Sequence, residues 1–465
     1  MQLVRRFFIP LMCLAIVAIL GSRLYLMQAL PLFDTTEARY GEIARLMVDT
    51  QDWLIPQFNY NEPFLGEPPL HTWASALSMR FFGLSEWAVR LPHFLASLCV
   101  LWVTAVFVKH QAGVRAALFS VGVLSATPVL WVSSAMVMTD MLLVLGLTIC
   151  MTNSWSLLSR QENKIGYASI NIGIGLLIGM LAKGPLIIVL WVMTIGMFLL
   201  IQRRALAHFN IAPWAVALGI GVVLSAPWFI AVEIVHPGFL NYFFIGEHVL
   251  RFIDTGWEGD RYGTAHNEPL GTIWLFFVQG LFVWLLVALC ALYQSIKKTN
   301  AFGDLNAFLL SWLLASPLLF TLAGNILPAY VLPSAVPVAA LLTINLKTYA
   351  QRKFIIVMVA AFAVLLIALA INNQRLLTKK TDKFLLQDIK DDQIIVYDTK
   401  LTFSGRFYSN GRAVVINDLS ELEKWLRQDE QYYWVSTNGP EHDTCQKVRS
   451  NSSKSLFECT KGDLP

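Results

Sequence analysis

The stretch "FDTTEARYGEIARLM", Phe33–Met47, follows directly on a hydrophobic run at roughly residues 8–30. It carries Asp34, Glu37, Arg39, Glu42 and Arg45 within twelve residues. Ionised side chains are costly in hydrocarbon unless they pair or line a polar cavity. Beside a run long enough to cross a bilayer, such a segment therefore belongs at the membrane surface or at a polar cavity opening there. Asp34 followed three residues later by Glu37 has the spacing of a capping box, with Asp in place of the usual Ser or Thr. Ile43, Leu46 and Met47 supply an apolar stripe at helical spacing. The segment predicts an amphipathic helix lying on the outer membrane face.

The rest of the chain agrees with a membrane setting. Its 465 residues are 56% hydrophobic and 14% charged, with a mean hydropathy of +0.57. A soluble chain carries about a quarter charged residues, so most of this one faces lipid or other apolar helices. The net charge of +4 is too small and too dispersed for nucleic-acid binding. A bilayer span needs about 20 apolar residues. Eleven such runs are readable, at roughly 8–30, 89–108, 113–131, 137–157, 166–182, 184–202, 210–231, 270–295, 304–322, 329–346 and 353–372. One or two re-entrant segments would bring the total to roughly 11–13 helices. The first run is too long for a cleaved signal peptide and is expected to be retained.

Orientation follows from short loops rich in Lys and Arg and poor in acids. Arg5 and Arg6, Lys109 and Arg115, Arg160 and Lys164, Arg203 and Arg204, Lys297 and Lys298, and Lys347, Arg352 and Lys353 fall on alternate sides of the runs. This bias marks the cytoplasmic face. The N-terminus is then cytoplasmic, and loops 31–88 and 232–269 face outward with the tail. Residues 1–372 form the membrane domain. From 373 to 465 the composition is ordinary, and "DDQIIVYDTK", "GRAVVIND" and "QYYWVST" read as strands. "DLSELEKWLRQ" has helical spacing, with Asp418 as its cap. The tail is expected to be a small extracytoplasmic α/β domain. Cys445 and Cys459 lie there, in an oxidising location for a bacterial inner-membrane protein. A disulfide between them and two free thiols are both open.

Charge recurs at the outer ends of other spans: Asp140 in "VMTDMLL" and Lys183 in "MLAKGPL". The second outer loop adds Glu247, His248 and Arg251 in "FFIGEHVLRF". Carboxylates suit proton abstraction from a hydroxyl or metal ligation. Cations suit a leaving phosphate. Together they fit transfer of a group from a phosphate-bearing lipid, or a proton-coupled transporter. The structural readings are a helix cap for Asp34 and Glu37, a Pro-Pro turn cap for Glu67, salt bridges for Arg39 and Arg251, and snorkelling for Lys183.

The order and spacing of "TEARYGEIARLM", "DWLIPQFNYNEPF", "EPPLHTWASAL", "RLPHFLASL", "MTDMLL", "LAKGPL", "GEHVLRF", "GDRYGTAHNEPLGTIW" and "GNILPAYVLPSAVP" resemble a known family. It comprises the polytopic glycosyltransferases that include protein O-mannosyltransferases and lipid A aminoarabinose transferases. The resemblance covers nearly all of residues 8–350. It implies a polytopic α-helical GT-C fold and inverting transfer of sugar from a polyprenyl-phosphate donor to a glycolipid or lipopolysaccharide acceptor. Protein hydroxyl groups are the alternative acceptor. A non-catalytic lipid-linked-sugar binding protein or flippase-like transporter is the alternative function. The implied catalytic acids are Asp34, Glu37 and Asp140. Implied substrate-binding residues are Arg39, Tyr40, Lys183, Arg251 and Tyr330, and a divalent metal would fall to Glu67 and His248. Three positions depart from the family pattern. Thr36 stands where its first-loop Asp is usual, Glu67 where a Lys precedes Pro-Pro, and Ile326 where a Lys precedes Leu-Pro. These departures bear on how the phosphate is gripped.

Overall fold

The computed structural model describes residues 2–160, 165–206, 209–254, 256–263, 266–299, 302–346, 363, 381–390, 392–416, 431–439, 445–451 and 453–460. All but residue 363 of the eleventh apolar run, and the helix expected at 418–428, lie outside the described residues. Helix α1 (Gln2–Ala29) leads into α2 (Thr36–Thr50), a short hairpin (β1, Gln57–Asn59; β2, Glu62–Pro63) and α3 (Leu70–Phe82). The bundle continues with α4 (Glu86–Ala112), α5 (Val114–Ser125), α6 (Pro128–Ser133), α7 (Asp140–Arg160), α8 (Tyr167–Lys183) and α9 (Leu186–Ile201). After a short turn of helix come α10 (Ala212–Val235), a π-helical segment (Asn241–Leu250), α11 (Thr272–Thr299), α12 (Asp304–Leu319) and α13 (Ala335–Asn345).

The protein is a multi-pass, mostly helical membrane protein. By length and composition, six described helices can cross a bilayer, or seven if Thr272–Phe282 and Trp284–Lys298, bent by 85° against each other, count as one span. Among the described residues, the other apolar runs form shorter helices. The third breaks after Ser125, where Pro128 opens a new helix. The fifth and sixth are 17 and 16 residues long.

Two antiparallel helices set the geometry of the rim, the end of the bundle carrying loops 31–88 and 232–269. Helices α7 and α8 meet backbone to backbone along a glycine seam. A Cβ on Gly146 would come 2.5 Å from the Gly175 carbonyl oxygen and 3.0 Å from the Gly179 nitrogen. Small residues permit this approach between apolar helices. Because α7 begins at Asp140 and α8 ends at Lys183, the seam brings both residues to one end of the bundle.

Helix α2 differs from expectation. It does not lie on the surface with one polar face, since Glu37, Glu42 and Arg45 are buried along with Ala38, Ile43, Leu46 and Met47. Its polar side is covered by the tail, whose helix Phe403–Tyr408 places Phe407 against Gly41. Glu42 and Arg45 pair within the helix at 2.7 Å.

The tail folds as a mixed five-stranded sheet in the order β4-β3-β5-β7-β6. Strands β3 (Ile394–Tyr397), β4 (Ala413–Val415) and β5 (Gln431–Ser436) run parallel, as the β-branched and aromatic runs suggested. Strands β6 (Cys445–Ser450) and β7 (Ser455–Thr460) add an antiparallel hairpin that the sequence reading did not foresee. Cys445 and Cys459 sit opposite each other in that hairpin and form a disulfide.

Candidate functional site

At the rim, a cavity of about 440 Å³ opens between the Gly66–Pro69 turn, the start of α9, the π-helical segment and the 319–330 stretch. Its polar end is formed by Glu67, Lys183, Glu247, Arg251, Asn325 and Tyr330. Its other walls are apolar, with Leu186, Val189, Phe244, Val249 and Phe252. Val189 and Val249 are 44% and 42% exposed, so the apolar side opens onto the greasy surface of the bundle.

Lys183 reaches this cavity from the last turn of α8. Its ammonium donates to Asp140 at 2.6 Å and lies 4.7 Å from the centre of the Tyr330 ring. Asp140 at a helix N-terminus and Lys183 at a helix C-terminus each complement their own helix dipole. Arg251 bridges Glu247 at 2.7 Å and Asp260 at 3.1 Å. Tyr242 donates a further hydrogen bond to Glu247. Burial pushes the His248 imidazole below its ordinary value.

Glu67 differs from Glu247, the other acid lining the cavity. It lines the cavity, and no hydrogen bond or ion pair with a described residue engages its carboxylate. Burial pushes its carboxyl up to about 7, with Lys183 and Arg251 opposing and Asp140 and Glu247 reinforcing. The preceding turn is held by Tyr262, whose hydroxyl donates to the Pro63 carbonyl at 2.8 Å and accepts from the Leu65 amide at 3.1 Å. A Cβ on Gly66 would stand 3.1 Å from the Tyr262 ring, so the turn is packed close where it presents Glu67.

The cavity thus gathers Lys183, Arg251, Tyr330, Glu67 and His248 from the residues expected at the site, with Asp140 behind Lys183. It does not gather Asp34 and Glu37. Glu37 is buried in a pair with Arg90, both of whose contacting nitrogens lie 2.8 Å from its oxygens. Asp34 neither caps α2 nor faces the cavity. Thr35 holds the cap position, and the Asp34 carboxylate accepts from the Ser404 amide at 3.0 Å and from the Ser404 hydroxyl. Arg39 donates to the Tyr262 carbonyl at 2.7 Å, and Tyr40 packs edge-on against His71 with ring centres 4.8 Å apart. Both support the cavity's wall from behind.

A metal does not fit the expected pair of Glu67 and His248. The His248 Nδ1 lies 2.8 Å from the Phe243 carbonyl oxygen and Nε2 3.2 Å from that of Lys183. A neutral imidazole has one donor and one acceptor nitrogen, so at most one nitrogen could serve a cation, and both are turned to backbone carbonyls instead. Among the described residues there is no group of three or more His, Cys, Asp or Glu placed to hold a metal.

Two residues escaped the sequence reading. Arg90, a cation inside an apolar run, is the partner of Glu37; its membrane-depth charge was the available signal. Tyr262 gave none, because its two bonds reach backbone atoms more than 190 residues away.

Residues 66–230 match the sequence pattern of the family described as dolichyl-phosphate-mannose-protein mannosyltransferase. The undecaprenyl phosphate-alpha-4-amino-4-deoxy-L-arabinose arabinosyl transferase of Aeromonas hydrophila is 29% identical over 340 residues, 70% of this chain and 58% of the relative. That of Edwardsiella ictaluri is 29% identical over 342 residues, 71% and 58% of the two chains. The match therefore spans less than two thirds of these relatives. Among solved structures, ArnT from Cupriavidus metallidurans bound to undecaprenyl phosphate superposes with a TM-score of 0.71 at 16% identity, over 96% of this chain and 97% of that one. An archaeal oligosaccharyltransferase from Archaeoglobus fulgidus gives 0.50 at 11% identity, over 91% and 69%. With the multi-pass helical bundle and the small sheet at its C-terminal end, this chain has the fold of the ArnT structure and is similar in sequence to the aminoarabinose transferases over about two thirds of its length.

Proposed function

We propose that the protein is an inverting glycosyltransferase of the bacterial inner membrane. It moves a sugar from a polyprenyl-phosphate donor to a glycolipid or lipopolysaccharide acceptor on the periplasmic face. The carrying observation is the division of the rim cavity. Lys183 and Arg251 line it together with apolar side chains, of which Val189 and Val249 are exposed on the bundle's surface. A lipid phosphate has that same division, with a charged head and a long hydrocarbon chain. Lys183 and Arg251 are placed to hold the phosphate, with the Tyr330 hydroxyl as a further donor, while Leu186, Val189 and Phe252 flank the first isoprene units. Fixed cations stabilise charge that develops on the leaving phosphate oxygen. The named activity of the aminoarabinose relatives supports a pentose donor of this class. The Lys/Arg-rich short loops support a cytoplasmic N-terminus and an outward-facing cavity.

The test is sugar transfer in proteoliposomes from undecaprenyl-phosphate-linked 4-amino-4-deoxy-L-arabinose to purified lipid A. Arg251→Gln is expected to raise the donor KM and lower kcat/KM by about 10-fold or more, as loss of a charged hydrogen bond worth 1.5–3 kcal/mol would. Undiminished transfer in that variant overturns the phosphate site. Passage of the donor lipid across the vesicle without sugar transfer overturns the enzymatic reading in favour of a transporter.

A further inference from the structure

Of the acids expected at the site or lining the cavity, all but one are already committed. Asp34 accepts from Ser404, Glu37 from Arg90, Asp140 from Lys183, and Glu247 from Arg251 and Tyr242. Glu67 alone meets the cavity with its carboxylate unengaged by any described residue. We propose that Glu67 is the general base of the reaction, and that the acceptor group it activates is a hydroxyl rather than a phosphate. This rests on the glycosyltransferase reading above.

The step balances in atoms and charge. The acceptor oxygen forms a bond to the anomeric carbon as the bond from that carbon to the donor's phosphate oxygen breaks. The electron pair of the broken bond stays on the phosphate, beside Lys183 and Arg251. The hydroxyl proton passes to Glu67. The donor phosphodiester carries one negative charge and the departing phosphate monoester up to two, while Glu67 changes from anionic to neutral. The cavity's total charge is thereby unchanged, which matters because few unpaired cations remain. Lys183 is matched by Asp140, and Arg251 by Glu247 and Asp260. A phosphate acceptor would bring further negative charge against Glu67 and would need no base.

The surroundings suit a group that gains and loses a proton near neutrality. Glu67 faces Lys183 and Asp140 from α7 and α8, Glu247, His248 and Arg251 from the second outer loop, Tyr40 from α2, and Tyr330. Its carboxyl, pushed up to about 7 by burial, lies where a general base is most effective.

The experiment uses the full-length protein in proteoliposomes. Undecaprenyl-phosphate-linked aminoarabinose is the donor, and lipid A and its dephosphorylated counterpart are the acceptors. Expected is transfer to both acceptors in a linkage stable to mild acid, unlike a glycosyl phosphate. For the wild type, kcat should rise with pH and level off above about 7. Glu67→Gln should lower kcat about 100-fold or more, erase the pH limb and leave the donor KM within a few-fold. Glu67→Asp should keep part of the activity and the limb, which excludes misfolding as the cause. Normal kcat in Glu67→Gln, or transfer confined to the phosphorylated acceptor, overturns the proposal and leaves the enzymatic reading standing. A wild type that transfers to neither acceptor overturns both.

Discussion

Arg90 donates to both oxygens of Glu37 from Nε and Nη2, to the carbonyls of Met27 at 2.7 Å and Leu30 at 2.5 Å from Nη1, and to that of Pro31 at 2.8 Å from Nη2. Glu37 in turn accepts weakly from the Val137 amide at 3.4 Å. One charge pair therefore joins the end of α1, the start of α2, the entry to α4 and the turn before Asp140. Removing one member of a buried pair leaves an uncompensated charge and costs about 3–5 kcal/mol. Glu37→Gln is expected to lower the melting temperature in detergent markedly. The double variant Glu37→Met with Arg90→Met should recover part of the loss, because desolvation of both charges is then avoided. A single variant melting like the wild type would contradict this role. Sequence spacing could show that Glu37 lies at the rim but not which way its carboxylate turns. That direction depends on a partner 53 residues away. The same ambiguity made Asp34 resemble a cap or a catalytic acid, when its partner Ser404 lies 370 residues distant. Lys183 and Asp140 were legible, because a charge at the end of an apolar run needs compensation.

The pairing of Asp140 with Lys183 is set by elements, not by the two residues alone. Helices α7 and α8 hold them together only while Gly146, Gly175 and Gly179 let the backbones touch. A Cβ on Gly175 would come 2.5 Å from the Gly146 carbonyl oxygen, a backbone atom that cannot move aside alone. Gly175→Leu is therefore expected to push the helices apart and part Lys183 from Asp140. Transfer activity should fall about 10-fold or more even though residue 175 is remote from the cavity, as a misplacement of about 1 Å can cost 100-fold. Wild-type activity would show that the seam does not position the pair. The hydrophobic runs predicted helices well, and among the described residues six or seven of them are long and apolar enough to cross a bilayer by length and composition. Apolar content shows that a segment avoids water, but not whether it runs straight through a bilayer. Helices α5, α8 and α9 are shorter than a full span, and the 270–295 run bends by 85°.

At the scale of the whole molecule, the tail is locked onto the first loop by contacts that local pattern could not reveal. The strands of the tail were legible from their β-branched runs, whereas the docking joins residues more than 290 positions apart. The Leu32 amide donates to the Tyr408 hydroxyl at 2.7 Å, that hydroxyl donates to Glu86 at 3.0 Å, and Lys383 pairs with Glu86. Asp34 completes the contact through Ser404, facing Asp382 and Lys454. Burial pushes the Asp34 carboxyl from 3.8 up to about 6, against the opposing pull of the Ser404 hydrogen bonds. The docked state then binds a proton that a released loop, with an ordinary aspartate, gives up. By linkage, its stability contribution is greatest below about 4, falls as pH rises through 6, and is level above. Protection of the Leu32 and Ser404 amides from hydrogen exchange, corrected for intrinsic rate, should therefore decline between pH 5 and 7. Asp34→Asn keeps one acceptor and one donor for Ser404 without the charge. It should hold protection flat across that range and exceed the wild type at pH 7. A wild type whose protection rises with pH, or an Asn variant that falls in parallel with it, would remove Asp34 as the titrating group of the docking contact.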